Sequence, residues 1–91
     1  MKKFLILLKY KKSIDEIEKH LNAHIAFLDK YYNSNNFIFS GRKNPRTGGV
    51  ILSKFNSIEE VNAAIKQDPF FMNELADYEV IEFEPTRGMN F

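Results

Sequence analysis

The sequence feature that most constrains the fold is a long amphipathic stretch from Ser13 to Asn36. It opens with Ser13–Glu16, a capping-box pattern in which the serine and glutamate side chains bond free backbone N–H groups of the first turn. We therefore expect one helix over this stretch, ended by a left-handed turn in the polar cluster Asn33–Asn36. Its apolar face is predicted from residues that recur every three or four positions: Ile14, Ile17, Leu21, His24, Leu28 and Tyr31.

The remaining elements are shorter. A second capping box at Ser57–Glu60 predicts a helix that runs to about Gln67. Asp68-Pro69 suits the start of one more turn or short helix through Leu75, because aspartate caps well and proline fits the first helical position. The buried stripe expected for the second helix is Ile58, Val61, Ala64 and Ile65. Strands are expected at Phe4–Leu8, Phe37–Ser40, Val50–Phe55 and Tyr78–Glu84, with a loop at Gly41–Gly49 and an irregular tail over Thr86–Phe91.

The element order β-α-β-β-α-β predicts an α+β, ferredoxin-like fold. Right-handed crossovers place the first and third strands in the centre of an antiparallel sheet, with both helices on one face. A chain of 91 residues is expected to form one domain, spanning 1–91.

The other sheet face is predicted to be apolar. The first strand is apolar on both sides, and in the last strand Ile81 and Phe83 alternate with Tyr78 and Val80. Because two helices cover one face only, we expect a homodimer through the helix-free sheet face, of the dimeric α/β barrel type. The alternative cover is the C-terminal tail.

Composition excludes several classes of function. The near balance of 13 basic and 12 acidic side chains argues against a nucleic-acid binder. The sequence contains no cysteine, which excludes disulfides, thiolate metal sites and cysteine nucleophiles. No segment approaches the ~20 apolar residues of a membrane span, and the run Phe4–Leu8 is too short for a signal peptide. A cytoplasmic protein without membrane partners is expected.

His24 is the most informative titratable residue because it lies toward the edge of the apolar face. A histidine there is often a packed core residue, yet imidazole titrates near neutrality and suits a general acid or base. A base needs an orienting partner, and Asp68 is available, although an aspartate before a proline also serves simply as a helix cap. The pattern alone leaves both interpretations open.

Two further patterns carry weaker signals. His20 and His24 have a spacing that allows a shared metal, but no third ligand is suitably placed, so no metal site is expected. Glycines with cations can cradle an anion or can form an ordinary flexible hairpin. The predicted loop carries three cations: Arg42, Lys43 and Arg46.

Five short motifs occur in order along the chain: Phe4–Leu8, Ala23–Leu28, Phe39–Gly41, Gly48–Val50 and Asp68–Phe70. Together, over Lys3 to about Phe83, they resemble the YCII-related (YciI-like) domain family of small dimeric ferredoxin-like bacterial proteins. The resemblance implies a pocket centred on His24 and Asp68, lined by Ser40, Gly41 and Phe70. It also implies lyase-like or isomerase-like proton transfer on small, often aromatic, molecules.

We therefore expect a small enzyme without a cofactor. His24 would move a proton, Asp68 would orient the imidazole, and Arg42 would hold a carboxylate or phenolate, since the cationic hairpin favours an anionic ligand. The alternative is a non-catalytic dimer that binds a small metabolite or a partner protein.

Overall fold

The computed structural model describes residues 1–88, which form a four-stranded antiparallel sheet with helices. The strands lie in the order second, third, first, fourth, so the first and third strands are central, and the predicted ferredoxin-like α+β fold is confirmed. The elements are β1 (Lys2–Tyr10), α1 (Ile14–Lys19), α2 (Leu21–Asn33), β2 (Phe37–Arg42), β3 (Gly48–Phe55), α3 (Ile58–Ile65), α4 (Pro69–Met72) and β4 (Ala76–Phe83).

The first helical stretch is interrupted at His20, so the prediction of one continuous helix was wrong. The His20 N–H bonds the carbonyl of Ile17 at 3.1 Å, which closes a tighter turn, and its backbone lies at φ −110° and ψ 7°. The His20 carbonyl then accepts the N–H of His24 at 3.0 Å and starts α2. Neither proline nor glycine marks this break, and the three- and four-residue spacing of the apolar face continues across it.

The helix ends follow the capping chemistry that the sequence predicts. Ser13 and Ser57 each accept the N–H three residues on, at 3.3 Å in both cases. At the end of α2, the Asn36 N–H bonds the Tyr31 carbonyl at 2.9 Å, while Asn35 adopts a left-handed φ of 64°. The Asn35 N–H also bonds the Tyr32 carbonyl, at 3.0 Å. These two hydrogen bonds around a left-handed residue confirm the turn expected in the asparagine cluster.

The core lies between the helices and one face of the sheet. Aromatic rings of α2, β2 and β3 (Phe27, Tyr31, Phe37 and Phe55) pack with centroids 5.1 to 6.3 Å apart and fix α2 on the sheet. In α3, Val61, Ala64 and Ile65 are buried as predicted, whereas Ile58 is 41% exposed. The expectation for Ile58 was wrong because it is the first helical residue, and packing on the core begins one turn later.

The predicted loop Gly41–Gly49 is shorter in the structure, because β2 continues to Arg42 and β3 begins at Gly48. A side chain at Gly48 would place its Cβ 1.8 Å from the Leu8 carbonyl oxygen. Glycine is therefore required for β3 to pair with β1 at this point.

The helix-free sheet face carries an apolar row that crosses all four strands. Leu5 pairs with Ile81 on one side and with Leu52 on the other, and Leu52 pairs with Phe39. Ile81 is 39% and Phe39 59% exposed. In β4, Tyr78 and Val80 pack on the core instead, as the alternation predicts, while Ile81 and Phe83 lie on the opposite, exposed side.

Within residues 1–88, no helix is long and apolar enough to span a membrane. Thr86–Gly88 form neither helix nor strand. The rest of the predicted irregular tail, residues 89–91, lies outside the described part of the chain.

Candidate active site

The Asp68 carboxylate is fully buried and holds three elements together. It caps α4 by accepting the Phe70 N–H at 3.0 Å on Oδ1. The same oxygen lies 2.7 Å from Nδ1 of His24 on α2, and Oδ2 accepts the Tyr78 hydroxyl of β4 at 2.5 Å. Asp68 is therefore both a helix cap and the centre of a polar network, so the two interpretations of this residue are compatible.

His24 lies between this network and open space. A carboxylate oxygen accepts hydrogen bonds and does not donate them, so Nδ1 carries the proton in the bond to Asp68. The ring stacks on Phe70 with centroids 4.0 Å apart and an angle of 4° between the planes. Nε2 has no hydrogen-bond partner among residues 1–88, and the His24 side chain is 12% exposed. The imidazole is therefore held through Nδ1, and Nε2 is available to a ligand.

The Tyr78 hydroxyl stays protonated beside Asp68. Burial, followed by the negative charge of Asp68 and the hydrogen bond to it, raises the pKa of Tyr78 far above its usual range. Because the phenol stays neutral, it donates to Oδ2 throughout the ordinary pH range.

A pocket of about 290 Å³ opens beside His24. Its wall is mostly apolar, and its polar side chains come from the β2–β3 hairpin and from Tyr10 and His24. Of the predicted site residues, His24, Ser40, Gly41, Arg42 and Phe70 line this pocket. Asp68 does not, because it is enclosed behind the imidazole, where it can orient His24 but cannot touch a ligand.

Two residues that the sequence analysis left out of the site belong to it. Tyr78 was assigned only to a sheet face, since nothing in a strand's alternation reveals a hydroxyl directed at a buried carboxylate. Arg46 was counted only as part of a cationic loop, yet it lines the pocket together with Arg42. A further polar contact, from the Tyr32 hydroxyl to Ser40 Oγ at 2.6 Å, fixes Ser40 at the pocket wall.

No cluster of three or more histidine, aspartate or glutamate side chains with metal-binding geometry occurs within residues 1–88. His20 is the residue at which the helix is interrupted, and His24, in α2, is already engaged with Asp68.

Comparison with known proteins places this geometry in context. The model of the YCII-related domain family matches residues 2–84. A similar solved structure is 5-chloro-2-hydroxyhydroquinone dehydrochlorinase from Burkholderia phenoliruptrix, in complex with 2,5-dihydroxybenzoquinone. The two chains are 22% identical, the match covers 94% of this chain and 95% of that one, and the TM-score is 0.77, which shows a shared fold. No curated protein matches the sequence.

Proposed function

The chain belongs to the YCII-related domain family, and from that premise we propose that it is a small cofactor-free enzyme in which His24 transfers a proton on a small molecule. The observation that carries this proposal is the 2.7 Å contact between His24 Nδ1 and Asp68 Oδ1 beside an open pocket. A general base needs an oriented ring and a nitrogen that a ligand can reach, and this arrangement provides both.

The proposed proton transfer starts from the neutral imidazole. Nε2 takes a proton from a hydroxyl or an acidic carbon of the ligand, and the imidazolium that forms is stabilised by the buried Asp68 carboxylate. Return of the proton to another atom of the ligand completes an isomerisation. Departure of a leaving group completes a lyase-like reaction, with the proton then released to solvent.

The pocket wall supports a flat, partly apolar ligand. Phe70 covers one face of the imidazole, with ring centroids 4.0 Å apart, and so fixes the plane of the ring. Ser40 and Gly41 of β2 offer polar groups at the pocket wall, and Arg42 supplies positive charge for an anionic group. The similar dehydrochlorinase was solved with 2,5-dihydroxybenzoquinone, which makes oxygenated aromatic rings the first compounds to test here.

We also propose that the protein is a homodimer through the helix-free sheet face. The apolar row Ile81–Leu5–Leu52–Phe39 crosses the whole sheet, and its two end residues are 39% and 59% exposed. A contiguous apolar surface of this kind is typical of an association site, and a second copy of the same sheet is self-complementary to it.

The test is a screen of small phenols, hydroxyquinones and carboxylates for conversion by wild type, His24→Ala and His24→Gln. We expect conversion of at least one compound class by wild type and a loss of about 10²–10⁴-fold in both variants, the usual contribution of a general acid or base. Ligands that bind wild type and the variants equally, with no conversion by any of them, would favour the non-catalytic binding module instead.

A further inference from the structure

Arg46 is a partly buried arginine with a guanidinium donor that has no hydrogen-bond partner among residues 1–88. Its side chain is 23% exposed, and its Nε is buried without a hydrogen-bond partner among residues 1–88. The acceptor that it does contact is Glu18 Oε1, at 3.4 Å from Nη1. That separation is longer than the ~2.7–2.9 Å of a good charge-assisted bond, and Glu18 is itself 55% exposed.

The guanidinium therefore has an unused edge. Arginine binds a carboxylate best through two parallel N–H donors, and one such pair is formed by Nε and the Nη that lies on the same side. Glu18 approaches Nη1 alone and leaves Nε unpaired. A buried donor without an acceptor is unfavourable. We therefore expect the Arg46 side chain to move readily to a position in which Nε and the neighbouring Nη are both hydrogen-bonded.

Arg46 also lies where two clefts meet. It lines the His24 pocket, and it lines an adjoining cleft that contains three lysines: Lys9, Lys12 and Lys43. No acidic side chain from residues 1–88 lines either cleft. Because the walls of both clefts carry the same sign of charge, they attract anions toward the junction that Arg46 occupies.

The His24 pocket is lined mostly by apolar side chains, with Leu21, Leu28 and Phe70 among them. A ligand that complements this pocket therefore has an apolar body and an anionic group that Arg46 can bind.

We infer that Arg46 is the specificity-determining residue of this pocket and that it selects an aromatic or short aliphatic carboxylate, bound through two parallel N–H donors. This inference rests on the proposed function in that the carboxylate holds the ligand against His24. Arg46 would then bind the ligand's carboxylate together with Arg42, the residue that the sequence predicts for this role.

The test compares binding of benzoate with that of benzamide, a neutral compound of the same shape, by titration calorimetry. Wild type is expected to bind benzoate about tenfold or more tightly than benzamide, as two charge-assisted bonds imply. Arg46→Gln should abolish the preference, and Arg46→Lys should retain part of it, since lysine keeps the charge but not the paired donors. Arg87→Gln is the matched control outside both clefts and should bind as wild type does.

Two further variants separate a binding role from a structural one. Glu18→Ala removes the acceptor at Nη1 and should leave benzoate binding equal or tighter, because the guanidinium is released. Arg46→Gln should not lower the melting temperature, because it removes a buried unpaired donor. A lowered melting temperature with an unchanged preference for benzoate would make Arg46 a structural residue and overturn the inference.

Three other outcomes also overturn it: equal binding of benzoate and benzamide by wild type, no measurable binding of either, or a preference for phenyl phosphate over benzoate. Failure of the proposed enzyme function is a different result. It would appear as absence of conversion while His24→Gln and wild type both keep the preference for benzoate, since the preference needs no proton transfer.

Discussion

His24 on α2 and Asp68 before α4 are 44 positions apart in the chain and meet at 2.7 Å between Nδ1 and Oδ1. The contact joins a partly exposed imidazole to a carboxylate that is fully enclosed. The consequence is a fixed tautomer, with the proton on Nδ1 and an available lone pair on Nε2.

Asp68→Asn tests that consequence. Asparagine caps a helix about as well as aspartate does, so a residue that only caps would tolerate the change with little loss of stability. Because the carboxylate also accepts from His24 and Tyr78, we expect a loss of about 1–3 kcal/mol in unfolding free energy. Nitrogen NMR of the His24 ring should show that the proton is no longer held mainly on Nδ1. An unchanged tautomer would show that Asp68 does not orient His24.

Tyr78→Phe should destabilise the protein in a way that depends on pH. The variant leaves Asp68 Oδ2 without its donor, at an expected loss of about 1–3 kcal/mol near neutrality. A pKa that is raised in the folded state gives stability that is complete below the unfolded pKa, about 10 for tyrosine, and that is lost as pH rises further.

The difference in unfolding free energy between wild type and Tyr78→Phe should therefore be constant up to about pH 10 and shrink above it. Urea denaturation at pH 8 and at higher pH measures this difference. Burial also raises the pKa of Tyr31, but Tyr31 is present in both proteins, so its contribution cancels. A difference that stays constant to high pH would contradict the assignment of the hydroxyl as a neutral donor.

Gly48→Ala should damage the fold beside the pocket. Its Cβ would lie 1.8 Å from the Leu8 carbonyl oxygen, so β1 and β3 must separate locally, at an expected loss of about 1–3 kcal/mol or more. Gly41→Ala is the matched control in the neighbouring strand, since nothing lies within 4 Å of the Cβ it would add. Thermal melts compare the two variants, and equal melting temperatures would disprove the close approach.

Phe39→Glu should separate the proposed dimer. Phe39 ends the apolar row on the helix-free face, whereas Phe71 is an exposed phenylalanine of α4, away from that row. We expect wild type and Phe71→Glu to sediment as dimers at micromolar concentration and Phe39→Glu to sediment as a monomer. A wild type that is monomeric under these conditions, or a dimer that Phe39→Glu leaves intact, would rule out this interface.

Hydrophobic periodicity and capping residues were sufficient to predict the strand order. The family was predicted from a resemblance carried by five ordered motifs, and the match over residues 2–84 confirms it. Caps such as Ser13 and Ser57 are local signals that can be read from a few neighbouring residues. The helices and strands that they define can pack together in only a few ways, so the strand order follows. The break at His20 escaped prediction because it keeps the spacing of the apolar face and involves no helix-breaking residue.

The candidate site was predictable only in part. His24 and Asp68 were found because each lies at a position with a recognisable local pattern, an apolar helix face and an Asp-Pro helix start. Tyr78 and Arg46 acquire their roles from tertiary contacts alone: a hydroxyl that reaches a carboxylate on another element, and a guanidinium whose Nε is buried without a partner. No spacing in the sequence encodes either contact.

The central claim is that His24 moves a proton on a bound ligand, and deuterium exchange tests it without knowledge of the full reaction. Small hydroxyquinones, phenols and carboxylates are incubated in heavy water with wild type or with His24→Gln, which keeps an N–H donor for Asp68 but removes the imidazole. Mass spectrometry measures deuterium that enters carbon-bound positions. We predict incorporation into at least one of these compounds by wild type, and a rate lower by about 10²–10⁴-fold with His24→Gln. Equal incorporation with both proteins, or none above the protein-free rate with either, would contradict the claim.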